Sequence, residues 1–390
     1  MAALLIGGGK DRCACLFVLP AAPILKDPCV WRCNLLIYWI MFAVPACAAI
    51  GASTRPQSVV GRLRFSWLLI FLGVVLLVGL RHQVGGDWFN YENHYKDVRS
   101  YKLSTALLKG DPGYYLILWI SAKLDLGLHG ANLFFSLFFS LGVISFCRCQ
   151  PRPWLALAVA VPYLVIVIGM GYTRQGVAIG IGMLGLVALA NQKNWQFVMW
   201  IAIAATFHKS AVLLVPLAVL ATPRGRVWTG LWVGITAAVL YWVLLADSVD
   251  ALVTNYVDAE YKSEGAAIRI AMNLLPAVLV LFFRNRFTWR SPDERNLWCL
   301  MALIAVASAG WLAVSSASTA IDRVALYLIP LQIFLFTRLP DVFGRRRNVR
   351  VWTVAVVAYY ALVQFVWIFF AAHSESWLPY QFYPLVVLSN

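Results

Sequence analysis

The chain has 390 residues, of which 62% are hydrophobic and only 13% are charged. A soluble domain of this length cannot bury so much apolar side chain, so the composition predicts an integral membrane protein. The net charge of +15 lies in short basic clusters between apolar runs, which is typical of loops at a membrane surface and excludes nucleic acid as an expected partner.

Apolar segments recur along the chain and predict about 12 transmembrane helices, because unpaired backbone polar groups cannot face lipid. They occupy residues 34–50, 65–80, 131–147, 154–170, 173–190, 195–207, 209–221, 228–246, 267–283, 297–314, 324–338 and 351–370. A further stretch, 113–124, is too short to cross a bilayer core that needs about 20 residues, and we interpret it as a re-entrant or in-plane helix. The predicted fold class is all-α, a polytopic integral membrane protein.

We expect one transmembrane domain over residues 34–390, preceded by an N-terminal extension at 1–33. The run "CACLFVLPAAPIL" in this extension is short and interrupted for a span, and the surrounding basic residues do not suit an outward-facing tail. Four cysteines of the extension match no zinc-binding pattern. Functional reasoning therefore starts at residue 34.

Loop charges predict the orientation, because Lys and Arg accumulate on the cytoplasmic side. Basic loops at 51–64, 148–153, 222–227, 284–296 and 338–350 are assigned to the cytoplasm, and the acidic loop 247–265 and the tail after 371 to the outside. The unusual polar residues then share the outer face. They lie in the loop 81–111, the "GYTRQG" hinge, the "FHKS" break, the turn ending at Arg323 and the "WLPYQFYP" tail.

Three of these outer residues suggest chemistry. Arg174 opens a predicted helix, where a guanidinium beside free backbone N–H groups can hold phosphate oxygens. Arg323 lies four residues before Tyr327, on the same helix face, and the simplest role for the adjacent Asp322 is to neutralise it. His208 interrupts two short apolar runs, and an ionisable group at membrane depth is a functional hypothesis by default, although a lone histidine is more often structural. Arg81 ends a helix, where it fits an interfacial anchor as well as a functional group.

Several arginines, an acid and a histidine suit a lipid-linked anionic substrate. The arginines would hold a pyrophosphate leaving group, while a carboxylate or imidazole would take a proton from a sugar hydroxyl. The predicted spans carry almost no Asp or Glu, which favours an enzyme over a proton-coupled pump. We see no metal-ligand cluster and no nucleophile motif, and expect neither metal nor cofactor.

The chain also resembles a known family. The ordered pieces "LRHQVGGDWFNY", "DPGYYLILWISAKLDLG", "TRQGVAIGIGM", "NWQFVMWIAIAATFHKS", "IDRVALYLIPL" and "WLPY" are similar to the EpsG family of Wzy-type polysaccharide polymerases. The resemblance implies a GT-C-like glycosyltransferase of the bacterial inner membrane. It would join oligosaccharide repeats carried on undecaprenyl pyrophosphate at the periplasmic face, giving exopolysaccharide, capsule or O-antigen. Membrane lipid and a chain-length regulator are further candidate partners.

Carried over by position, the family's first motif falls on Arg81, Val84, Gly85, Asp87 and Tyr91, with Gly86 where the family often has Thr or Ser. The later motifs fall on Arg174 with Gln175, on Phe207, His208 and Ser210, and on Arg323. We predict Asp87, His208, Arg174 and Arg323 as catalytic, with Asp87 and His208 as alternative bases. We predict Arg81, Gly85, Tyr91, Gln175, Ser210 and Tyr327 as substrate-binding.

Two other classes remain open. A flippase for the same lipid-linked oligosaccharide would need polar residues reachable from both faces of the membrane, which the outer-face confinement opposes. A different polyprenyl-linked glycosyltransferase or a membrane acyltransferase would require an early acidic pair or a His-rich cytoplasmic site. Only Asp87 with Glu92 approaches the former.

Overall fold

A computed structural model describes residues 28–52, 65–222, 226–242, 265–314, 318–344 and 348–389. Within these ranges the chain is all-helical, and its β-structure is limited to one isolated bridge between Arg81 and Phe382. Residues 1–27 of the predicted N-terminal extension and much of the loops 51–64, 222–227 and 247–265 lie outside the described residues, as does part of 338–350. The last residues of that extension, 28–33, belong to a helix that continues to Gly51. The assignment of these loops to membrane faces stays a prediction.

The α-helices follow one another through the described ranges. They are α1 (Pro28–Gly51), α2 (Phe65–Gly79), α3 (Trp88–Val98), α4 (Leu103–Leu108), α5 (Pro112–Lys123), α6 (Gly127–Arg148), α7 (Pro153–Ala160), α8 (Thr173–Ala190), α9 (Asn194–Phe207), α10 (Leu217–Ala221), α11 (Arg226–Leu240), α12 (Ala266–Phe283), α13 (Pro292–Val314), α14 (Ser318–Leu326), α15 (Ile329–Phe343), α16 (Val349–Phe370) and α17 (Tyr383–Ser389). A π-helical segment, Val161–Gly169, continues α7, and 3-10 turns occupy Lys209–Leu214 and Ser374–Trp377.

Among the described residues, six helical segments are long and apolar enough to cross a membrane: α6, α8, α12, α13, Ile321–Phe343 and α16. This is consistent with a multi-pass membrane protein. Over their described parts, the other predicted spans coincide with apolar helical stretches of fewer than 18 residues, and 209–221 is interrupted by a turn. The count of 12 stays a prediction. Helix α5 has 12 residues, about 18 Å of helix against a core of about 30 Å. Its predicted in-plane or re-entrant placement is not tested by the fold alone.

Burial separates the inner helices from the outer ones. The apolar windows of α8 and of Ile321–Phe343 are 78% and 83% buried, whereas that of α16 is 28% buried. The outer faces are nevertheless apolar, with exposed side chains such as Leu362, Phe365 and Phe369 on α16. Large apolar surfaces of this kind are typical of contact with lipid.

Glycines allow the central helices to approach each other closely. A Cβ atom added to Gly142 on α6 would lie 1.8 Å from the carbonyl oxygen of Gly180 on α8. Small residues at helix crossings commonly permit such backbone contact in membrane proteins. The contact holds α8, which carries Arg174 at its start, against α6.

Two sequence segments differ from simple spans. Residues 209–221 form a 3-10 turn and the five-residue α10, because Pro216 has no backbone N–H to continue the helix. The polar loop 81–111 contains α3 and α4. Both irregular regions lie at the same end of the bundle as the start of α8. The side chain of Asp111 accepts a hydrogen bond from the Lys209 N–H at 3.3 Å and pairs with Arg174, the second residue of α8, at 3.2 Å.

The described basic loops meet at the other end of the bundle. Arg152 pairs with Asp341 at 2.5 Å, and Arg338 donates to Gln150 at 2.7 Å. The two ends therefore separate the polar residues into the two sets that the loop charges predicted, although which end faces the periplasm stays a prediction.

Candidate functional site

Arg174 and Asp111 form an ion pair at the centre of the polar end. The Nη1 atom of Arg174 lies 3.2 Å from Oδ2 of Asp111, and its guanidinium lies over the Tyr114 ring, 5.5 Å from the centroid. The Arg174 side chain is 36% exposed and that of Asp111 is 8% exposed. Asp111 thus fixes the Arg174 guanidinium from its buried side, while Arg174 stays accessible to a ligand.

Asp111 was not among the sequence-predicted site residues. It stands at the N-cap of α5, directly before Pro112, but its side chain does not cap that helix. Its two oxygens instead accept hydrogen bonds from Arg174 and from the Lys209 N–H. Burial raises the pKa of the Asp111 carboxyl, and the nearby Arg174 and Lys209 oppose that rise. The sequence signal at Asp111 is the Asp-Pro pair that opens "DPGYY" and marks the acid as an N-cap residue. An N-cap acid ordinarily accepts hydrogen bonds from the N–H groups of its own helix, so this signal does not indicate a partner elsewhere in the chain.

His208 belongs to a short hydrogen-bonded chain of side chains. Its Nδ1 atom lies 2.6 Å from the hydroxyl of Ser210, which lies 3.1 Å from the hydroxyl of Tyr327. The imidazole stands in the break between α9 and the 3-10 turn Lys209–Leu214. Three predicted site residues, one of them from a distant part of the chain, are thus brought together.

Arg323 is positioned by Gln175. The Nη1 atom of Arg323 donates to the Gln175 side-chain oxygen at 3.0 Å, and the Gln175 amide donates to the Arg323 carbonyl at 2.9 Å. The guanidinium also lies over the Tyr172 ring, 5.6 Å from its centroid. Because Gln175 is only 1% exposed, it acts here as a buried link between α8 and α14.

Arg174, Arg323 and His208 form one electrostatic unit, which we call the arginine–histidine cluster. Burial, followed by the positive charges of Arg174 and Arg323, lowers the pKa of His208 to about 3. Both guanidiniums therefore act on one imidazole, which is neutral at physiological pH. The cluster carries two positive charges and a neutral base, an arrangement suited to a multiply charged anion.

Tyr91 lies near the start of α8. Burial, followed by the charge of Asp87, raises the pKa of Tyr91 to about 12, and the nearby Arg174 opposes that rise. The hydroxyl therefore keeps its proton at neutral pH. Asp87 itself is partly buried at the N-cap of α3, where it accepts a long hydrogen bond from Asn90 at 3.4 Å. It lies near the cluster without a direct hydrogen bond to it in the described residues.

Arg81 is buried beside the start of α8. It is 1% exposed and donates to the Val78 carbonyl at 2.6 Å, the Val84 carbonyl at 3.2 Å and the Thr173 hydroxyl at 2.8 Å. These bonds tie the end of α2 to the first residue of α8. This placement favours a positioning role, and the predicted contact of Arg81 with substrate stays a prediction.

Gly85 has a conformational reason for being glycine. Its φ angle is +106°, and a Cβ atom there would lie 2.4 Å from the Met170 carbonyl oxygen. Its N–H donates to the Ser376 carbonyl at 2.8 Å. The close approach is thus to the protein's own backbone, and the predicted approach to a sugar is untested.

The tail after α16 closes this end of the bundle. Residues 81 and 382 form the isolated bridge, and Trp377 donates from its ring nitrogen to the Ile166 carbonyl at 3.0 Å. The Trp377 ring packs so closely on Gly171 that a Cβ there would lie 2.2 Å from it. The predicted outer-face tail therefore packs against the segment that leads into Arg174.

Asp322 does not neutralise its neighbour Arg323, which was the simplest interpretation of the sequence. Both of its carboxylate oxygens face Arg269 of α12, with the second contact at 2.7 Å. Adjacent residues on a helix point about 100° apart, so Asp322 and Arg323 serve different neighbours. Arg323 thus keeps its charge available at the cluster.

Among the described residues, no group of three or more His, Cys, Asp or Glu side chains is arranged to hold a metal ion. Searches of curated proteins and of solved structures found no match to the chain. A scan against protein-family models found the EpsG family over residues 64–382, a range that contains every residue of the cluster. On that match over most of its length, the chain belongs to the EpsG family.

Proposed function

We propose that this protein polymerises lipid-linked oligosaccharide repeat units by glycosyl transfer at the arginine–histidine cluster. The observation that carries the proposal is a network of side-chain contacts at one end of the bundle. Asp111 pairs with Arg174 and accepts a hydrogen bond from the Lys209 N–H, beside His208. His208 is linked through Ser210 to Tyr327, four residues after Arg323. Membership of the EpsG family supports a role in polysaccharide synthesis. The substrate would be a glycan on undecaprenyl pyrophosphate, and the product exopolysaccharide, capsule or O-antigen.

The two arginines would hold the leaving group. When the anomeric carbon–oxygen bond breaks, the electron pair stays on the pyrophosphate, whose growing negative charge is stabilised by fixed guanidinium donors. Arg174 is partly exposed and anchored by Asp111, so it can bind the anion with little loss of side-chain freedom. Arg323 is anchored in the same way by Gln175.

His208 or Asp87 would take the proton from the acceptor hydroxyl as that oxygen attacks the anomeric carbon. Without a ligand, the low pKa of His208 makes it a weak base. Burial is the main cause of this low pKa, and the positive charges of Arg174 and Arg323 lower it further. A pyrophosphate bound to the two arginines would offset their contribution, so the pKa of His208 would rise when substrate is present. Asp87 lacks a direct contact with the cluster, and this difference favours His208 for the step.

The remaining parts of the proposal concern the membrane setting. About 12 spans in a bacterial inner membrane would place the cluster at the periplasmic face, where a lipid carrier can reach it from the bilayer. The outward-facing apolar side chains of α16 support the membrane setting, and the basic loops at the opposite end support the orientation. A chain-length regulator would be an additional partner.

Replacing Arg174 or Arg323 with Ala tests the proposal. We expect both variants to reach normal membrane levels and to lose long polymer on gels, with a rate loss of about 100-fold or more for one transition-state donor. The matched control is Arg99→Ala, because Arg99 is exposed at the end of α3 and should keep full polymer length. Long polymer from both Arg174→Ala and Arg323→Ala would refute the proposal that the two arginines hold the pyrophosphate leaving group.

The bases are separated by His208→Gln and Asp87→Asn. We expect His208→Gln to abolish most polymerisation and Asp87→Asn to retain more of it. Full activity in His208→Gln would transfer the base role to Asp87. Cells lacking the protein distinguish a polymerase from a flippase, since single repeats then accumulate on the outer face for a polymerase and on the inner face for a flippase.

A further inference from the structure

A second polar cavity lies at the end of the bundle opposite the arginine–histidine cluster. Helix α8 runs from Thr173 to Ala190, about 27 Å by the usual rise, and Ala190 shares a crevice with Arg290 and Arg338. The neighbouring cavity has a volume of about 410 Å³. It is lined by Pro151, Arg286, Phe287, Thr288, Trp289, Arg290, Arg338, Asp341 and Val342. We call it the distal pocket.

The distal pocket carries an excess of positive charge. Its carboxylate, Asp341, pairs with Arg152 at 2.5 Å, and Arg338 pairs with Glu294 at 3.2 Å. Arg286 and Arg290 form no ion pair with a carboxylate in the described part of the chain. Two guanidiniums therefore remain for an anion from outside the protein.

The pocket walls are fixed by hydrogen bonds and ring contacts. Trp289 donates from its ring nitrogen to the Arg284 carbonyl at 2.9 Å, and its ring stacks on Phe334 with centroids 5.8 Å apart. Arg290 donates one guanidinium hydrogen to the Cys149 carbonyl at 2.6 Å. These contacts within the chain hold the pocket wall and the Arg290 guanidinium in place, which lowers the entropy cost of binding.

We propose that the distal pocket binds a phosphate-bearing anion. Planar guanidinium groups match the geometry of phosphate oxygens and bind them through paired charge-assisted hydrogen bonds. The position of the pocket, at the end of long apolar helices, is where phospholipid headgroups lie, and basic pockets between membrane helices commonly bind them. Its apolar members Pro151, Phe287 and Val342 offer a surface for the glycerol and upper acyl carbons of such a lipid. A soluble phosphate compound has the same anionic chemistry and is the other possible source.

Binding to the purified full chain tests this proposal. In detergent, cardiolipin is titrated and bound lipid is counted by native mass spectrometry, with phosphatidylcholine as the neutral lipid; inorganic phosphate is titrated separately by thermal unfolding. The double variant Arg286→Gln, Arg290→Gln is compared with Arg295→Gln, an exposed arginine of the same region that does not line the pocket. Each lost charge-assisted bond should weaken binding about tenfold, whereas Arg295→Gln should bind as the unmodified protein does.

Every outcome has a defined meaning. Cardiolipin binding that the double variant loses supports a lipid headgroup, and stabilisation by inorganic phosphate that the double variant loses supports a soluble anion. If the double variant unfolds, the charge-preserving pair Arg286→Lys, Arg290→Lys replaces it and should keep part of the affinity. Equal binding by the unmodified protein and by a folded double variant would overturn the proposal. It would also be overturned if cardiolipin bound no better than phosphatidylcholine and inorganic phosphate did not raise the unfolding temperature.

Discussion

Changing Asp111 to Asn removes the negative charge beneath Arg174 with little change in shape. The asparagine would still offer a side-chain oxygen to the Lys209 N–H, now bonded to the carboxylate at 3.3 Å, so the start of α5 should stay in place. The Arg174 guanidinium, now 3.2 Å from the carboxylate, would lose its ionic anchor. The substitution therefore separates the positioning of Arg174 from the folding of the bundle.

The expected cost in stability is small. Because the Arg174 side chain is 36% exposed, solvent screens its attraction to Asp111, and the pair should contribute less than about 1 kcal/mol to folding. Burial raises the pKa of Asp111, which means that ionising this carboxyl above its folded pKa costs folding free energy that the neutral amide would not incur. The expected loss of activity is larger, about tenfold to 100-fold, because a displaced Arg174 guanidinium would lose its contacts with the transition state.

The assay is polymer formation by membranes with matched protein levels, measured from acid to neutral pH. The unmodified enzyme should lose activity as the pH falls and Asp111 takes up a proton, with a midpoint above the ordinary 3.8 of this carboxyl because its pKa is raised. Asp111→Asn should show a low rate without that acid limb. Asp97→Asn, at an exposed acid on α3, should behave as the unmodified enzyme.

Two results would refute this reasoning. Full activity of Asp111→Asn at neutral pH would show that the ion pair does not position Arg174 for turnover. Loss of folded protein from the membrane in Asp111→Asn but not in Asp97→Asn would show that the acid acts mainly in folding.

Three further predictions concern packing and protonation. Gly85→Ala should cost about 1–3 kcal/mol in unfolding free energy from backbone strain alone, measured by thermal unfolding. Gly86→Ala should cost little, because its Cβ would meet only ordinary contacts at 3.9 Å. Equal effects of the two substitutions would contradict the argument from the backbone conformation of Gly85. Gly142→Ala should separate α6 from α8 by colliding with Gly180 and lower the unfolding temperature more than Gly86→Ala does. The pKa of His208 is lowered from 6.5 to about 3, so below pH 6.5 the unfolded chain binds the proton more readily than the folded chain does. The free energy of unfolding should therefore be fully present above pH 6.5 and fall as the pH drops from 6.5 towards about 3. His208→Gln should lose less stability over that range, and identical pH–stability curves for the two proteins would contradict this prediction.

The sequence was sufficient for the helical architecture because hydropathy is a local property. Each apolar run, such as 131–147 or 351–370, predicts a helix from its own residues, because a backbone in lipid must satisfy its hydrogen bonds within the segment. Arg174 and His208 were predicted in one site from the shared outer face that the loop charges indicate and from the family motifs, and the orientation of that face stays a prediction. These expectations did not depend on knowing which helices touch.

Pairings across the fold were not predictable in the same way. Asp111 and Arg174 are 63 positions apart, and nothing near Asp111 in the sequence identifies its partner among the arginines. Asp322 was expected to act on the adjacent Arg323 because only sequence neighbours were visible, whereas helix geometry turns it towards Arg269. Ion pairs of this kind depend on tertiary packing, which a single sequence does not specify.

The contacts of the tail also join distant parts of the sequence at the start of α8. Trp377 packs against Gly171, and Phe382 bridges to Arg81, which itself donates to Thr173. The support of α8 therefore depends on residues that are translated long after α8 itself. We expect a chain cut before Trp377 to keep the sequence motifs of the cluster and to lose the packing around the segment that leads into Arg174.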